Sequence, residues 1–170
     1  KQKKALPKYL TLSQATELLR SVSGDYAERD YCMLVFFLNC GLRRAELVGI
    51  NLEDISRTDH TLRVRGKGNK ERMVYLNTAC IDAINEYLKV RPNDGIPVNE
   101  KNALFISRNH RRISPKTVQH IVKTYLEKSG LGDMGYSTHK LRHTAATLMY
   151  QHGNVDIRVL KDILGHANLG

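Results

Sequence analysis

The stretch that predicts the fold is the apolar run Arg29-Asp30-Tyr31-Cys32-Met33-Leu34-Val35-Phe36-Phe37-Leu38-Asn39. At the 3.6-residue period of a helix, this run is apolar on nearly all sides, and such a helix is typically buried. Gly41 follows at a position where a helix C-cap favours glycine. We therefore expect a central helix over residues 29–39, with the rest of the chain packed around it.

Capping residues and apolar spacing predict five further helices on both sides of this run. The clearest starts are the capping box Thr11-Leu12-Ser13-Gln14 and the pair Ser114-Pro115, which places proline at the first helical position. The helices are expected over residues 12–22, 81–90, 115–129, 138–151 and 155–164, the last two being closed by Gly153 and Gly165.

The strand signals are fewer. Residues 61–64 and 71–76 are predicted as strands, and they flank the turn-rich link Gly66-Lys67-Gly68-Asn69-Lys70, so we expect a β-hairpin. Residues 103–107 are predicted as one more short strand. The fold class expected from these elements is α+β, mainly helical with one small antiparallel sheet.

The charge of the chain indicates the class of partner. Its 170 residues fit a single domain, with a formal net charge of +10 and a sequence pI of about 9.7. This excess favours a polyanion, with nucleic acid the first candidate and an anionic membrane surface the second. The basic residues are spread over predicted helices and turns, so we expect a folded basic surface and not a disordered arm.

The remaining composition indicates a cytoplasmic protein. Cys32, Cys40 and Cys80 are odd in number and form no CxxC pair, so they are interpreted as reduced core residues. No segment has the length and apolarity of a membrane span, and no signal peptide is visible. The basic segment Lys1 to Pro7 is predicted to be a linker, and a chain without an initiator Met is expected to be part of a longer protein.

A candidate anion site lies in Ser137-Thr138-His139-Lys140-Leu141-Arg142-His143. If Thr138 is the N-cap, His139 lies in the first helical turn and Arg142 lies three residues on, on the same face. An imidazole, a guanidinium and the free backbone N–H groups of a helix start would then face one spot, which suits a phosphate. The spacing of His139 and His143 is also compatible with zinc, but no Glu follows His139 and no third ligand is evident, so no metal site is expected.

Four motifs in order resemble a known family. They are Gly41-Leu42-Arg43-Arg44-Ala45-Glu46-Leu47, the Gly-Lys-Gly link at 66–68, the His-x-x-Arg of His139 and Arg142, and Leu164-Gly165-His166. Together they resemble the catalytic domain of the tyrosine recombinases, the phage-type integrases and Xer-type resolvases, over nearly the whole chain. The resemblance implies the DNA breaking-rejoining enzyme fold over residues 8–170. It also implies DNA cleavage through a 3′-phosphotyrosine, with no metal or nucleotide cofactor.

The resemblance also implies roles for individual residues. Arg43, Lys67, His139, Arg142 and His166 match the catalytic positions, with Arg44 the neighbouring rival of Arg43 and Lys70 the rival of Lys67. Glu46 is expected either to orient a guanidinium or a histidine, or to form an ordinary helix-surface pair. His143 is expected to pack or hydrogen-bond behind the site.

The nucleophile departs from the family pattern. The family places its tyrosine shortly after Leu-Gly-His, whereas the eight tyrosines here all precede His166. We therefore expect the last helix with the nucleophile, and an N-terminal DNA-binding domain before residues 1–7, to be absent, and the chain alone to be unable to cleave DNA. The family acts as a homotetramer on two duplexes; this chain alone is expected to be monomeric.

Two other functions remain open at this point. One is a non-catalytic DNA-binding module of the same fold; the other, a metal-dependent nuclease, lacks the clustered carboxylates such a site needs. The recombinase and the non-catalytic DNA-binding module both predict contacts to the backbone of double-stranded DNA. The candidates are Lys70, Arg72, Arg108, Arg111, Arg112, Lys116 and Lys140.

Overall fold

The computed structural model describes residues 9–135, 137–153 and 156–159. At its centre is α2 (Ala27–Cys40), in which every residue from 29 to 38 is buried. Gly41 caps α2 with φ 64° and donates its N–H to the carbonyl of Phe37. The predicted central helix and its glycine cap are confirmed, because a run that is apolar all round has no face to offer water.

The other helices surround α2. They are α1 (Leu12–Arg20), α3 (Arg44–Val48), α4 (Thr78–Val90), α5 (Pro115–Lys128) and α6 (Thr138–His152). The helices α4 and α6 pack directly on α2, while α3 packs against α5. The predicted capping box at Thr11 and Gln14 is present, and Ser114 caps α5 as expected. Short 3₁₀ turns occupy Leu52–Asp54, Lys67–Asn69, Val98–Glu100 and Gly132–Met134.

A three-stranded antiparallel sheet lies beside this helical core. Its strands are β1 (Ile55–Ser56), β2 (Thr61–Arg65) and β3 (Glu71–Tyr75), in the order β1-β2-β3. The predicted hairpin is β2–β3, with Val64 opposite Arg72 in the register. The sequence did not predict β1, which is only two residues long. The α+β class with one small antiparallel sheet is confirmed.

The predicted strand over 103–107 is wrong. Residues 103–106 are buried but form only isolated bridges to Asn51 and Arg112. The buried guanidinium of Arg91 replaces a neighbouring strand: its Nε donates to the carbonyl of Leu104 at 3.1 Å and its Nη2 to that of Ala103 at 2.5 Å. The N–H of Leu104 and the carbonyl of Phe105 bond the backbone of Ile50 and Ile113, so a side chain and single backbone bonds together replace a strand ladder.

The predicted helix over 155–164 is wrong in its described part, since residues 156–159 are not helical. Their backbone groups bond to side chains of α2 instead: the amide of Asn39 binds Ile157, and the N–H of Val159 donates to the hydroxyl of Tyr31 at 3.1 Å. Residues 160–170, including the Leu164-Gly165-His166 motif, lie outside the described residues, as do residues 1–8.

One helix start also differs from expectation. Ser137, with φ −150° and ψ 179°, is the N-cap of α6, and Thr138 is its first helical residue. His139 therefore remains in the first turn. The helix is anchored to the start of the described chain by the buried hydroxyl of Thr144, which accepts from the N–H of Leu10 at 2.8 Å.

Candidate active site

A cavity of about 490 Å³ lies between the end of α2 and one face of α6. It brings together four residues singled out in the sequence, namely Arg72, His139, Arg142 and His143. The remaining lining is formed by the end of α2 and by small or flexible residues of α6: Asn39, Cys40, Gly41, Ala145, Ala146 and Met149. Two imidazoles and two guanidiniums at one cavity are suited to an anion.

The helical period of α6 explains this grouping. Thr138, Leu141, Thr144, Ala145 and Leu148 are buried in the core at helical spacing. His139 and His143 lie on the opposite, exposed face, and Arg142 is half-buried between the two faces. The Nε atom of Arg142 is buried and has no hydrogen-bond partner among the described residues. A buried, unpaired guanidinium nitrogen is costly unless a ligand oxygen binds it.

Gly41 lets α2 end close against α6. A Cβ atom built on Gly41 would lie 3.6 Å from the Cβ of Ala145 and 3.8 Å from the carbonyl oxygen of Arg142. The positive φ of Gly41 is the stronger requirement, because side-chain-bearing residues rarely adopt it. The glycine therefore turns the chain directly from α2 into the residues around Arg43.

Arg43 is the N-cap residue of α3, and its side chain is 61% exposed. Its backbone N–H donates to Oε1 of Glu46 at 2.9 Å, and its Nη1 lies 3.7 Å from Oε2 of the same carboxylate. The neighbouring Arg44 instead bonds the side chain of Gln119 on α5. Of the two adjacent arginines, Arg43 is thus the one linked to the Glu46 carboxylate.

Glu46 connects the Arg43 turn to the cavity. Its buried carboxylate accepts from Nη1 of Arg72 at 2.7 Å and from Nη2 at 3.2 Å. Burial opposes ionisation of Glu46, but the hydrogen bonds and charges of Arg72 and Arg43 hold its pKa below the ordinary value. The carboxylate therefore contacts two arginines, and the bond to Arg72 is bidentate. The sequence offered Arg72 only as a DNA-backbone candidate, and nothing local links it to a partner 26 residues away.

Lys67 lies on the 3₁₀ turn between β2 and β3 and is exposed. The turn begins beside the ion pair, since a Cβ atom on Gly66 would lie 3.5 Å from Oε2 of Glu46. Gly68 and Asn69 both have positive φ, at 74° and 61°. The hairpin tip is thus placed next to the Glu46–Arg72 pair. The fifth family-matched residue, His166, lies outside the described residues.

The supporting and backbone-contact candidates fall into different surroundings. The ring of His143 lies 6.2 Å from that of Tyr9, in a tilted contact. Arg112 bonds the carbonyls of Val48 and Ile50, at 2.8 Å and 3.2 Å, and burial lowers its pKa. Lys140 is half-buried, and Arg111 lies 3.7 Å from Glu100. The remaining candidates are exposed: Lys70, Arg108 and Lys116.

The described part of the chain contains neither a cluster of metal ligands nor a helix able to span a membrane. Within residues 9–135, 137–153 and 156–159, no three His, Cys, Asp or Glu side chains are grouped as metal ligands. Over the same ranges, no helix combines the length and apolarity that crossing a membrane requires.

Comparison with known sequences identifies the family. The model of the phage integrase family matches residues 8–170. The tyrosine recombinase XerC of Caldanaerobacter subterraneus subsp. tengcongensis is 57% identical over 163 residues, which are 96% of this chain and 45% of that protein. XerC of Alcanivorax borkumensis is 40% identical over 99% of this chain and 55% of its own length. The chain thus spans about half the length of these relatives.

Solved structures agree on the fold. The crystal structure of XerA recombinase superposes with a TM-score of 0.76 at 24% identity, over 95% of this chain and 59% of that one. XerH recombinase bound to a palindromic difH substrate gives a TM-score of 0.73 at 24% identity, over 86% and 43%. With the family match and the 57% identity to a XerC protein, the chain belongs to the phage integrase family of tyrosine recombinases.

Proposed function

We propose that this chain is the catalytic domain of a XerC-like site-specific recombinase, which cuts and rejoins DNA through a 3′-phosphotyrosine. The observation that carries the proposal is the cavity that gathers Arg72, His139 and Arg142, with the Nε of Arg142 unpaired among the described residues. The oxygen atoms of a DNA phosphate can accept the hydrogen bond that this guanidinium nitrogen does not make among the described residues.

The proposed roles follow from charge and geometry. Arg43 and Arg142 stabilise the negative charge that develops on the non-bridging oxygens of the attacked phosphate, and their planar forks suit two oxygens at once. His139 and His166 donate hydrogen bonds to the same phosphate. Glu46 acts as a positioning residue, because it contacts both Arg43 and Arg72.

Lys67 is proposed as the acid for the leaving 5′-oxygen. Lys67 is exposed at a hairpin tip that begins beside the Glu46–Arg72 pair, and we propose that its side chain enters the groove of bound DNA. Proton transfer from a positioned side chain typically contributes roughly 10²–10⁴-fold in rate. No metal or nucleotide cofactor is required, because the phosphotyrosine link conserves the energy of the cleaved bond.

The nucleophile is proposed to lie outside these 170 residues. Tyr31, Tyr87 and Tyr125 are buried and hydrogen-bonded within the fold. Tyr150 is 91% exposed, but it lies on α6, before the Leu-Gly-His motif and not after it. We therefore propose that the chain alone binds DNA without cleaving it.

Double-stranded DNA is the proposed partner, in the cytoplasm. Solved relatives include a λ integrase tetramer bound to a Holliday junction, and XerH bound to its difH substrate. We propose a homotetramer for the longer protein on DNA and a monomer for this chain alone.

A chimera tests the proposal. This chain replaces the matched 163 residues of the 57%-identical XerC, which supplies the remaining half of the protein. We expect the chimera to form a covalent adduct with a nicked suicide duplex on a denaturing gel, in the presence of EDTA. Arg142→Ala should abolish the adduct while duplex binding persists. A chimera that binds DNA but forms no adduct would favour the non-catalytic binding module.

A further inference from the structure

Two free thiols face each other beside the cavity. Cys40 is the last residue of α2 and Cys80 lies in the first turn of α4, and their sulfur atoms are 3.7 Å apart. A disulfide bond is about 2.05 Å long, so the two sulfurs have to approach by roughly 1.6 Å.

Hydrogen bonds hold the end of α2 and the start of α4, which carry these thiols, next to each other. The side chain of Asn77 donates to Oδ1 of Asn39 at 2.9 Å, one residue before Cys40. The same Asn77 caps α4 by accepting from the N–H of Cys80 at 3.0 Å. The end of α2 and the start of α4 are therefore tied together at the dithiol itself, which keeps the two sulfurs paired.

The three cysteines differ in access. Cys32 and Cys80 are fully buried, whereas Cys40 is half-buried and lines the 490 Å³ cavity. Cys40 also lines a neighbouring cavity of about 610 Å³, between α2, β3 and the end of α6. Cys80 lines neither of these two cavities, so a small solute in either one meets Cys40.

The surroundings of Cys40 are electropositive. It shares the cavity with Arg72 and Arg142. Reactive cysteines are typically partly exposed and close to cations, which stabilise the thiolate. For Cys80, the hydrogen bond with Cys40 and burial raise the pKa well above the ordinary value.

We propose that Cys40 is a hydroperoxide-reactive thiol and that Cys80 is its resolving partner. The Cys40 thiolate attacks hydrogen peroxide, the O–O bond breaks, and Cys40 becomes a sulfenic acid with release of one water once the leaving hydroxide is protonated. The Cys80 sulfur then attacks the sulfenic sulfur, loses its proton and releases a second water. Two thiols and one peroxide give one disulfide and two waters, with two electrons passing from sulfur to oxygen.

The reactivity proposed for Cys40 depends on the position of the two thiols and not on what the cavity binds. It places a reversible covalent modification between Asn39, which bonds residue 157, and Gly41, which packs on α6. The experiment requires no DNA, so its outcome can be separated from that of the proposed recombinase activity.

The experiment treats the reduced chain with a slight excess of hydrogen peroxide and counts thiols after denaturation. We expect the count to fall from three to one, the monomer mass to fall by two hydrogens, and a Cys40–Cys80 peptide to appear. Dithiothreitol should restore all three thiols. Three intact thiols, a modified Cys32 or disulfides only between molecules would each overturn the proposal.

Two variants separate the steps. In Cys80→Ser, the sulfenic acid at Cys40 has no resolving thiol, so dimedone should label Cys40. Cys32→Ser is the matched control, because it removes a buried cysteine from the same helix and should leave disulfide formation unchanged. Oxidation of Cys40 beyond the sulfenic acid in the unsubstituted chain, with Cys80 still free, would also contradict the proposal.

Discussion

The side-chain amide of Asn39 binds both backbone polar groups of Ile157. Its Oδ1 accepts from the N–H of Ile157 at 2.9 Å, and its Nδ2 donates to the carbonyl of Ile157 at 2.9 Å. The same Nδ2 also donates to the carbonyl of Val35 at 2.8 Å, and the same Oδ1 accepts from Nδ2 of Asn77 at 2.9 Å. Asn39 thus joins the helix that leads to Arg43 with the segment that leads toward His166.

Asn39→Ala should destabilise the fold and free this segment. The substitution removes four hydrogen bonds of the side-chain amide, each worth roughly 0.5–1.5 kcal/mol net, so we expect a loss of about 2–6 kcal/mol. Urea unfolding measures the loss, and hydrogen exchange should show faster exchange of the Ile157 amide.

Tyr31→Phe is the matched control for Asn39. It removes only the hydroxyl that accepts from Val159, so it should cost about 1 kcal/mol and speed exchange at Val159 but not at Ile157. Equal exchange of Ile157 in Asn39→Ala and in the unsubstituted chain would show that the amide does not hold the segment.

The Glu46–Arg72 pair predicts a pH dependence of stability. Because the pKa of Glu46 is lowered in the fold, its ion pair stabilises fully above the unfolded value, near 4.5. That stabilisation is lost as the pH falls through the folded pKa. We expect Glu46→Gln to reduce the free energy of unfolding at pH 7 by roughly 1.5–3 kcal/mol, the range for hydrogen bonds to charged groups.

The pH profile separates Glu46 from other carboxylates. The difference in stability between the unsubstituted chain and Glu46→Gln should be constant above pH 5 or so and shrink toward pH 3. Asp54 also has a lowered pKa, since the hydrogen bonds from Arg65 and Asn51 outweigh its burial. Glu46→Gln retains that contribution, which therefore cancels in the comparison. A difference of the same size at pH 3 and pH 7 would contradict the assignment.

Arg43 and Arg44 should differ sharply in catalysis. Removing one donor to a developing oxyanion typically lowers the rate by about 10²–10³. In the XerC chimera, we expect Arg43→Lys to slow adduct formation by this factor with little change in duplex affinity. Arg44→Lys alters the residue that bonds Gln119, and it should leave the rate within a few-fold. The reverse order of effects, in single-turnover cleavage, would transfer the role to Arg44.

Local signals explain which elements could be predicted from the sequence. The central helix, the Thr11 capping box and the β2–β3 hairpin depend on residues a few positions apart, and all three are present. The strand expected over 103–107 and the helix expected from residue 155 failed for a common reason. In both, side chains distant in sequence, Arg91 and Asn39, take some of the backbone groups that the predicted element would have used.

The candidate site likewise combines residues whose grouping could be predicted from the sequence with contacts that could not. The grouping of His139, Arg142 and His143 follows from the spacing on one helix, and the cavity contains all three. The Glu46–Arg72 pair and the Cys40–Cys80 contact join elements 26 and 40 residues apart. No pattern in the sequence specifies which of several cations or thiols meet across such distances.

The salt dependence of DNA affinity should distinguish basic residues that contact DNA from basic residues that stabilise the fold, a difference that the sequence does not show. Lys116 is exposed at the start of α5, while Arg112 bonds the carbonyls of Val48 and Ile50 and the side chain of Asn51. If Lys116 contacts a DNA phosphate, Lys116→Ala should reduce the slope of log affinity against log salt by about 1. Arg112→Ala should leave that slope unchanged and instead lower the free energy of unfolding by roughly 1–3 kcal/mol, because carbonyls lose their donor.

Fluorescence anisotropy across a salt series, with urea unfolding of the same variants, measures both effects. An unchanged slope for Lys116→Ala would remove Lys116 from the DNA interface, and a reduced slope for Arg112→Ala at full stability would add Arg112 to it.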